Sequence, residues 1–402
     1  MSFASKKPVP SLETGVKLNA RRGPILILTI NNGSGHIRAA QAIADAWCEA
    51  NQEIPVKVVE VSDFMSPLAK FSHVTAYLWL VKTLPAVWDR IDRYQKRQPH
   101  TSPEWFYRRA CRSLFDLAGK INPSAIIATE VGCGEIAALI KRDLSLDIPV
   151  VAVNVNYDAD RAWVQPETDL YCLADNGLIK SFEYLGVKSE KLAAWGVPME
   201  TGFFEADEAG RKNTRLNVLK RLDLDNDKRL IVVAGGGEGM GKIRQIISAL
   251  LDSAKFQDSN LVVLTGHNEK LRKRCKSIAY KKNQEHRTRI LGWTDQIPAI
   301  FRAADVLISK LGNTFDEALA CGLPLIALPP PPGSERVQYR LLERRGTGRA
   351  VQTVREVLQT LENLLCNPDE LSRMRANSSF FRPANAAEEL VKWLSEMLEV
   401  KR

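Results

Sequence analysis

From residue 25 onward, short aliphatic runs alternate with longer stretches whose apolar residues recur at helical spacing. Ile25-Leu26-Ile27-Leu28-Thr29-Ile30 is a continuous β-branched and aliphatic run, the length of a strand covered on both faces. It enters Asn31-Asn32-Gly33-Ser34-Gly35-His36, and a helical pattern follows over 39–49. Residues 56–61, 125–128 and 148–153 read as further strands with helical patterns between them. The rhythm restarts after the polar interval 205–228. There Leu230-Ile231-Val232-Val233-Ala234 runs into a second glycine loop, and 261–264, 289–291, 306–308 and 323–328 continue the series. Short buried strands alternating with helices predict parallel sheets with right-handed crossovers. Each half opens with strand, glycine loop and helix. The pattern therefore predicts an α/β fold of two Rossmann-like units, 23–200 and 201–385, facing a shared cleft. An amphipathic helix at 386–402 and a flexible basic tail at 1–22 complete the expected organisation.

Composition narrows the function classes. A chain of 402 residues, 45% apolar and 26% charged, has the length of two domains and excludes a mostly disordered, collagen-like or low-complexity protein. Its formal charge of +9 suits a nucleotide, a phospholipid surface or nucleic acid without choosing among them. Seven widely spread cysteines contain no C-x-x-C pair, which argues against a disulfide framework or zinc site and points to a reducing cytosol. No apolar run approaches the roughly 18 residues of a membrane span, and residues 1–20 lack a secretory apolar stretch, so a soluble or peripheral protein is expected.

Each glycine loop carries candidate chemistry. Gly33-Ser34-Gly35-His36 lacks the third glycine of a G-x-G-x-x-G dinucleotide fingerprint, because Arg38 stands in its place, and this disfavours an NAD site. What remains is a tight turn with an imidazole at the mouth of a helix. His36 there is either a general base for an acceptor hydroxyl or a structural, capping histidine. Gly235-Gly236-Gly237-Glu238-Gly239-Met240-Gly241 has five glycines in seven positions, a density that lets a ligand approach the main chain. Phosphate is the usual ligand of such a loop. No Walker lysine-serine pair follows, so an ordinary ATPase is disfavoured. The segment Ser309-Lys310-Leu311-Gly312-Asn313-Thr314-Phe315-Asp316-Glu317 offers a lysine, a glycine turn and a hydroxyl to phosphate and, one turn into a helix, Glu317 to a ribose diol. Alternatively, Asn313 or Thr314 caps that helix. The proline run 329–332 precedes Gly333, Ser334, Glu335 and Gln338, either a plain surface loop or polar groups that reach the sugar of a ligand.

These residues resemble the monogalactosyldiacylglycerol synthases and the processive diacylglycerol glucosyltransferases. Those families share the GT-B architecture with the transferase that completes lipid-linked peptidoglycan precursors. Gly33-Ser34-Gly35-His36 followed by Ala39 is similar to the family's G-G-G-H-x-x-A loop. Gly235 to Gly241 matches G-G-G-E-G-M-G, Thr265-Gly266-His267-Asn268 stands at C-G-[KR]-N, and Leu291-Gly292-Trp293 at a strand ending in G-[FY]. Lys310 to Glu317 is similar to K-x-G-x-x-T-x-x-E-A, and Pro332-Gly333-Ser334-Glu335 to P-G-Q-E. The order holds from about residue 25 to residue 350.

The resemblance implies transfer of a hexose, with inversion, from a UDP-sugar to a lipid hydroxyl. Glu317 would hold the ribose, and the glycine loops and Thr314 the diphosphate. Gly236, Gly237, Glu238, Gly239, Asn268, Trp293, Lys310, Gly312, Asn313, Gly333, Ser334, Glu335 and Gln338 make up the rest of the implied donor site. Gly33, Ser34 and Gly35 would lie beside the acceptor. No metal or other cofactor is implied.

The chain also departs from the family pattern. One residue is missing between Gly312 and Glu317. Val155-Asn156 replaces a threonine-aspartate pair before Trp163, and the arginine usual after Gly196-Val197-Pro198 is absent, with Glu200 near its place. Asp158 and Asp160 are nearby carboxylates for the acceptor, rivals of His36. The same Asp158-Ala159-Asp160 has the form of a GT-A metal motif, a form that short acidic pairs elsewhere in the chain mimic. Trp79, Trp88 and Trp105, interleaved with Arg90, Arg93 and other cations, suit an anionic membrane interface. With no nucleic-acid motif beside them, nucleic acid is the least expected partner. Two other readings stay open: a UDP-sugar epimerase of the same fold, and a binding protein that has lost turnover.

Overall fold

The aliphatic runs form two six-stranded, wholly parallel sheets. The structure is a computed structural model and describes residues 23–30, 34–50, 53–71, 79–80, 83–204, 208–330 and 336–400. The expected tail at 1–22 and the candidates Gly33, Gly333, Ser334 and Glu335 lie outside the described residues.

The first sheet contains β1 (Ile25–Thr29), β2 (Val56–Glu60), β3 (Ala125–Ala128), β4 (Val150–Asn154), β5 (Leu170–Leu173) and β6 (Leu192–Ala193), in the order β2-β1-β3-β4-β5-β6. The second contains β7 (Arg229–Ala234), β8 (Ser259–Leu264), β9 (Thr288–Leu291), β10 (Val306–Ser309), β11 (Leu325–Ala327) and β12 (Gly348–Ala350), in the order β12-β11-β10-β7-β8-β9. β5, β6 and β12 were not in the expected series, because two to four residues are too few to show a period against their flanks.

Alternation along the central strands distributes the core. Ile25 and Ile27 of β1 belong to one hydrophobic cluster, and Leu26 and Leu28 to another on the opposite face. Both faces of these strands are therefore covered, which explains why they lack polar positions. The first cluster is continuous with Val232 and Leu307 of the second sheet, so the two halves share apolar packing. The edge strand β2 keeps Lys57 and Val58 exposed.

Strand order reverses beside β1, which pairs with β2 and β3, and beside β7, which pairs with β8 and β10. Open parallel sheets bind ligands beyond the carboxyl ends of strands at such switch points. The loops after β1 and β3, and those after β7 and β10, therefore define the site. One long-range element ties the halves further. The helix Ala386–Val400 packs along the helix Ser34–Ala50, burying Leu390, Leu394 and Leu398 at four-residue spacing.

Candidate active site

The loop after β1 leads into the helix Ser34–Ala50, whose third residue is His36. His36 Nδ1 lies 2.7 Å from the carbonyl of Thr129, directly after β3. A carbonyl oxygen only accepts, so Nδ1 carries a proton, and in the neutral ring the lone pair is on Nε2. Nε2 has no hydrogen-bond partner among the described residues. Thr129 is itself fixed, its N–H donating to Leu28 O at 3.1 Å.

The opposing wall is the helix Asn313–Ala320, which follows β10. Neither Asn313 nor Thr314 caps it; Gly312 occupies that position with φ of 66° and no side-chain bond. Asn313 instead reaches across and donates to Gly35 O at 3.3 Å. A Cβ on Gly35 would sit 2.9 Å from that amide, so a side chain there would push the Asn313 amide aside. Phe315 packs edge-on against Tyr157 at 5.9 Å, and the Tyr157 hydroxyl donates to Asp316 at 2.5 Å.

Glu317, the expected ribose ligand, is buried and paired with Arg38 at 2.8 Å. The same guanidinium holds Glu200 at 2.8 Å. Burial would lower the Arg38 pKa, but Glu317 and Glu200 together raise it. Burial raises the Glu317 carboxyl, with Arg38 opposing the shift. Arg38 thus links the helix carrying His36 to the carboxylate of the opposite half. Its guanidinium also lies 5.8 Å from the Phe203 ring centroid.

The loop 235–241 is held to its own half. Met240 N–H donates to Gly235 O at 2.7 Å, and His267 N–H to Gly237 O at 2.8 Å. Asn268 Nδ2 donates to Glu238 O at 3.3 Å, while its Oδ1 caps the helix Glu269–Lys281 by accepting from Leu271 N–H. Gly236 and Gly239 have positive φ, and Lys310 Cε lies over Gly236. Gln338 is buried and donates to Gly312 O at 3.1 Å. Trp293, half exposed, stacks on His267 with centroids 4.1 Å apart. The donor-side candidates Gly236, Gly237, Glu238, Gly239, Asn268, Lys310, Gly312, Asn313, Thr314, Glu317 and Gln338 thus cluster at one switch point.

The acceptor-side candidates are more dispersed. Asp158 pairs with Lys96, and Asp160 precedes a short helical turn, Arg161–Trp163. Among the described residues no cluster of three or more His, Cys, Asp or Glu has a metal-holding arrangement. Trp88, Arg90 and Arg93 share the helix Pro85–Gln95, and Trp79 and Trp105 are 59% and 66% exposed. Among the described residues no helix is long and apolar enough to cross a membrane.

Sequence reasoning missed Arg38, Glu200, Tyr157 and Asp316. Arg38 was read only as the residue that breaks a glycine motif. A cation near the start of a helix with no acid in its first turn, against the helix dipole, was the available signal.

Residues 36–199 match the model of the monogalactosyldiacylglycerol synthase family, and residues 215–379 that of glycosyl transferases group 1. The chain is a glycosyltransferase built from these two domains. A processive diacylglycerol beta-glucosyltransferase of Bacillus licheniformis is 25% identical over 381 residues, covering 94% of this chain and 95% of its own. Among solved structures, Acinetobacter baumannii MurG has a TM-score of 0.56 at 14% identity, covering 93% of this chain and all of its own. Anabaena Alr3699/HepE in complex with UDP-glucose scores 0.55 at 12% identity, covering 94% of this chain and all of its own. These likenesses identify the glycosyltransferase as a GT-B fold.

Proposed function

We propose that this glycosyltransferase moves a hexose, with inversion, from a UDP-sugar to the hydroxyl of a diacylglycerol-like lipid at a membrane surface. The observation that carries the reading is His36. A backbone carbonyl fixes its tautomer, and its basic nitrogen is left without a hydrogen-bond partner among the described residues. Nε2 takes the proton of the acceptor hydroxyl as that oxygen bonds the anomeric carbon and the bond to the diphosphate breaks. Asp158 serves less well as the base, because Lys96 already engages its carboxylate.

The donor role falls to the pinned glycine loop, Lys310 and Thr314 for the diphosphate and to Glu317 for the ribose. Backbone N–H groups and Lys310 stabilise charge on the departing UDP. For Glu317 to meet a ribose, its pair with Arg38 must open or be shared. Residues 23–200 form the acceptor unit and 201–385 the donor unit, and Trp79, Trp88, Arg90, Arg93 and Trp105 face the lipid surface. The named activity of the Bacillus licheniformis relative supports the lipid acceptor.

The test measures UDP release from a panel of UDP-sugars with and without diacylglycerol vesicles. Release that requires lipid is expected. A changed sugar nucleotide without lipid would establish an epimerase instead. Tight UDP binding with no turnover on any acceptor would establish a binding protein.

A further inference from the structure

One guanidinium stands between two carboxylates. Arg38 Nη1 lies 2.8 Å from Glu317 Oε1, and Nη2 lies 2.8 Å from Glu200 Oε1. The two partners are not equivalent. Glu317 sits on the helix that follows β10, with its side chain 6% exposed, whereas Glu200 precedes the turn Thr201–Phe203 and is 37% exposed. Phe203 of that turn is buried, and its ring centroid lies 5.8 Å from the guanidinium. Arg38 therefore has a second seat, partly hydrated and backed by an aromatic ring, beside the one at Glu317.

The seat at Glu317 is closed to a ligand. The cavity at this junction measures about 10 Å³ and is lined by Arg38, Pro198, Glu200, Asn313 and Glu317 among others, which is the room of one water. A ribose cannot reach Glu317 while Arg38 stands there. The two acids also compete for the cation. Burial raises the Glu317 carboxyl, Arg38 lowers it, Glu200 raises it again, and Lys310 and Thr314 oppose that rise from the second half. Each carboxylate thus weakens the hold of the other on Arg38, and Glu317 keeps other groups that favour its charged form when the guanidinium leaves.

We propose that Arg38 is a specificity-determining residue for the donor, an internal competitor of the ribose at Glu317, and that Glu200 is the carboxylate to which it withdraws. This inference rests on the reading of Glu317 as the ribose ligand. The ribose hydroxyls donate to Glu317 in place of the guanidinium N–H groups, and the positive charge stays paired through Glu200. A nucleotide that lacks those hydroxyls cannot make the exchange and leaves the pair shut. Preference for ribose then comes from the cost of displacing Arg38 as well as from the bonds made to Glu317.

The test is calorimetric binding of UDP and of 2′,3′-dideoxy-UDP, with no sugar and no lipid present, so failure of transfer cannot imitate failure here. Wild-type protein should prefer UDP. E200Q should weaken UDP binding by about tenfold while changing dideoxy-UDP binding by less than about twofold, because only the ribose drives Arg38 onto Glu200. In an R38M background E200Q should no longer weaken UDP binding. If R38M does not fold, the two nucleotides measured on E200Q decide the matter. Equal weakening of both nucleotides by E200Q, or an undiminished effect in R38M, would overturn the withdrawal to Glu200 and leave the ribose reading standing. Equal wild-type affinity for the two nucleotides would overturn the ribose reading itself, and this inference with it.

Discussion

The two glycine loops begin alike, each leaving a buried parallel strand at a switch point, yet they bond in opposite directions. The loop after β7 turns inward: its carbonyls accept from Met240, His267 and Asn268, all in its own half. The turn after β1 sends its contacts outward, Gly35 to Asn313 and Arg38 to Glu317. A loop locked within one half suits the role proposed for it, that of holding a diphosphate in one place. A turn that bonds across the cleft instead ties the imidazole of His36 to how closely the halves approach. One supersecondary unit thus serves two purposes, and the difference comes from a few side chains.

The hardest test of this contrast is His36→Ala. If the outward turn carries the chemistry, kcat should fall by about 10²–10⁴ at saturating lipid with the donor KM nearly unchanged. A kcat near the wild-type value would break the division. Next is Arg38→Met, which leaves the buried Glu317 without its cation. Urea unfolding should show a loss of about 3–5 kcal/mol, and Glu200→Gln should cost less because Glu200 is more exposed. Equal stabilities would mean that the cross-cleft pair is incidental.

The comparison extends to one buried acid in each half. Burial pushes Glu135 up to about 8 and Asp316 up to about 7, from ordinary values of 4.5 and 3.8. Both folded-state values are raised, so each contribution to stability is full below the ordinary value and is lost as pH rises through the folded one. Stability should therefore decline from about pH 4 to pH 8. Glu135→Gln should remove the part of that decline running from about 4.5 to about 8 and Asp316→Asn the part running from about 3.8 to about 7, read as differences in unfolding free energy against pH. The smallest effect is Gly35→Ala, expected to cost about 1 kcal/mol by crowding Asn313. Adding Asn313→Ala should recover that loss, and additive losses would show that the two residues do not touch.

The inward loop was the legible one. Five glycines in seven positions directly after a strand mark a turn of close backbone approach, and the bonds that pin it run to residues of its own half. The outward contacts were not legible. Arg38 and Glu317 stand in different halves of the chain, and no local pattern marks a pair that exists only when two sheets meet. Asp316 sits in an otherwise helix-like NTFDEALA, where its burial under Tyr157 has no local signature. Both sheets could be anticipated from their interior strands other than β5, whose coverage on two faces leaves unbroken aliphatic runs; β5, Leu170–Leu173, carries Tyr171 and Cys172 in a run of four. Their edges, β6 and β12, could not, being two or three residues that pair on one side only.

The helix Ala386–Val400 carries a consequence for how the chain is made. It covers an apolar face of the helix Ser34–Ala50, which leaves the ribosome first. From residue 50 to residue 386, synthesis at about 5–20 residues per second takes on the order of tens of seconds. Throughout that interval the early helix has no native cover for its face. The first half therefore completes its packing only after the second half has been translated, so the order of synthesis and the order of docking differ.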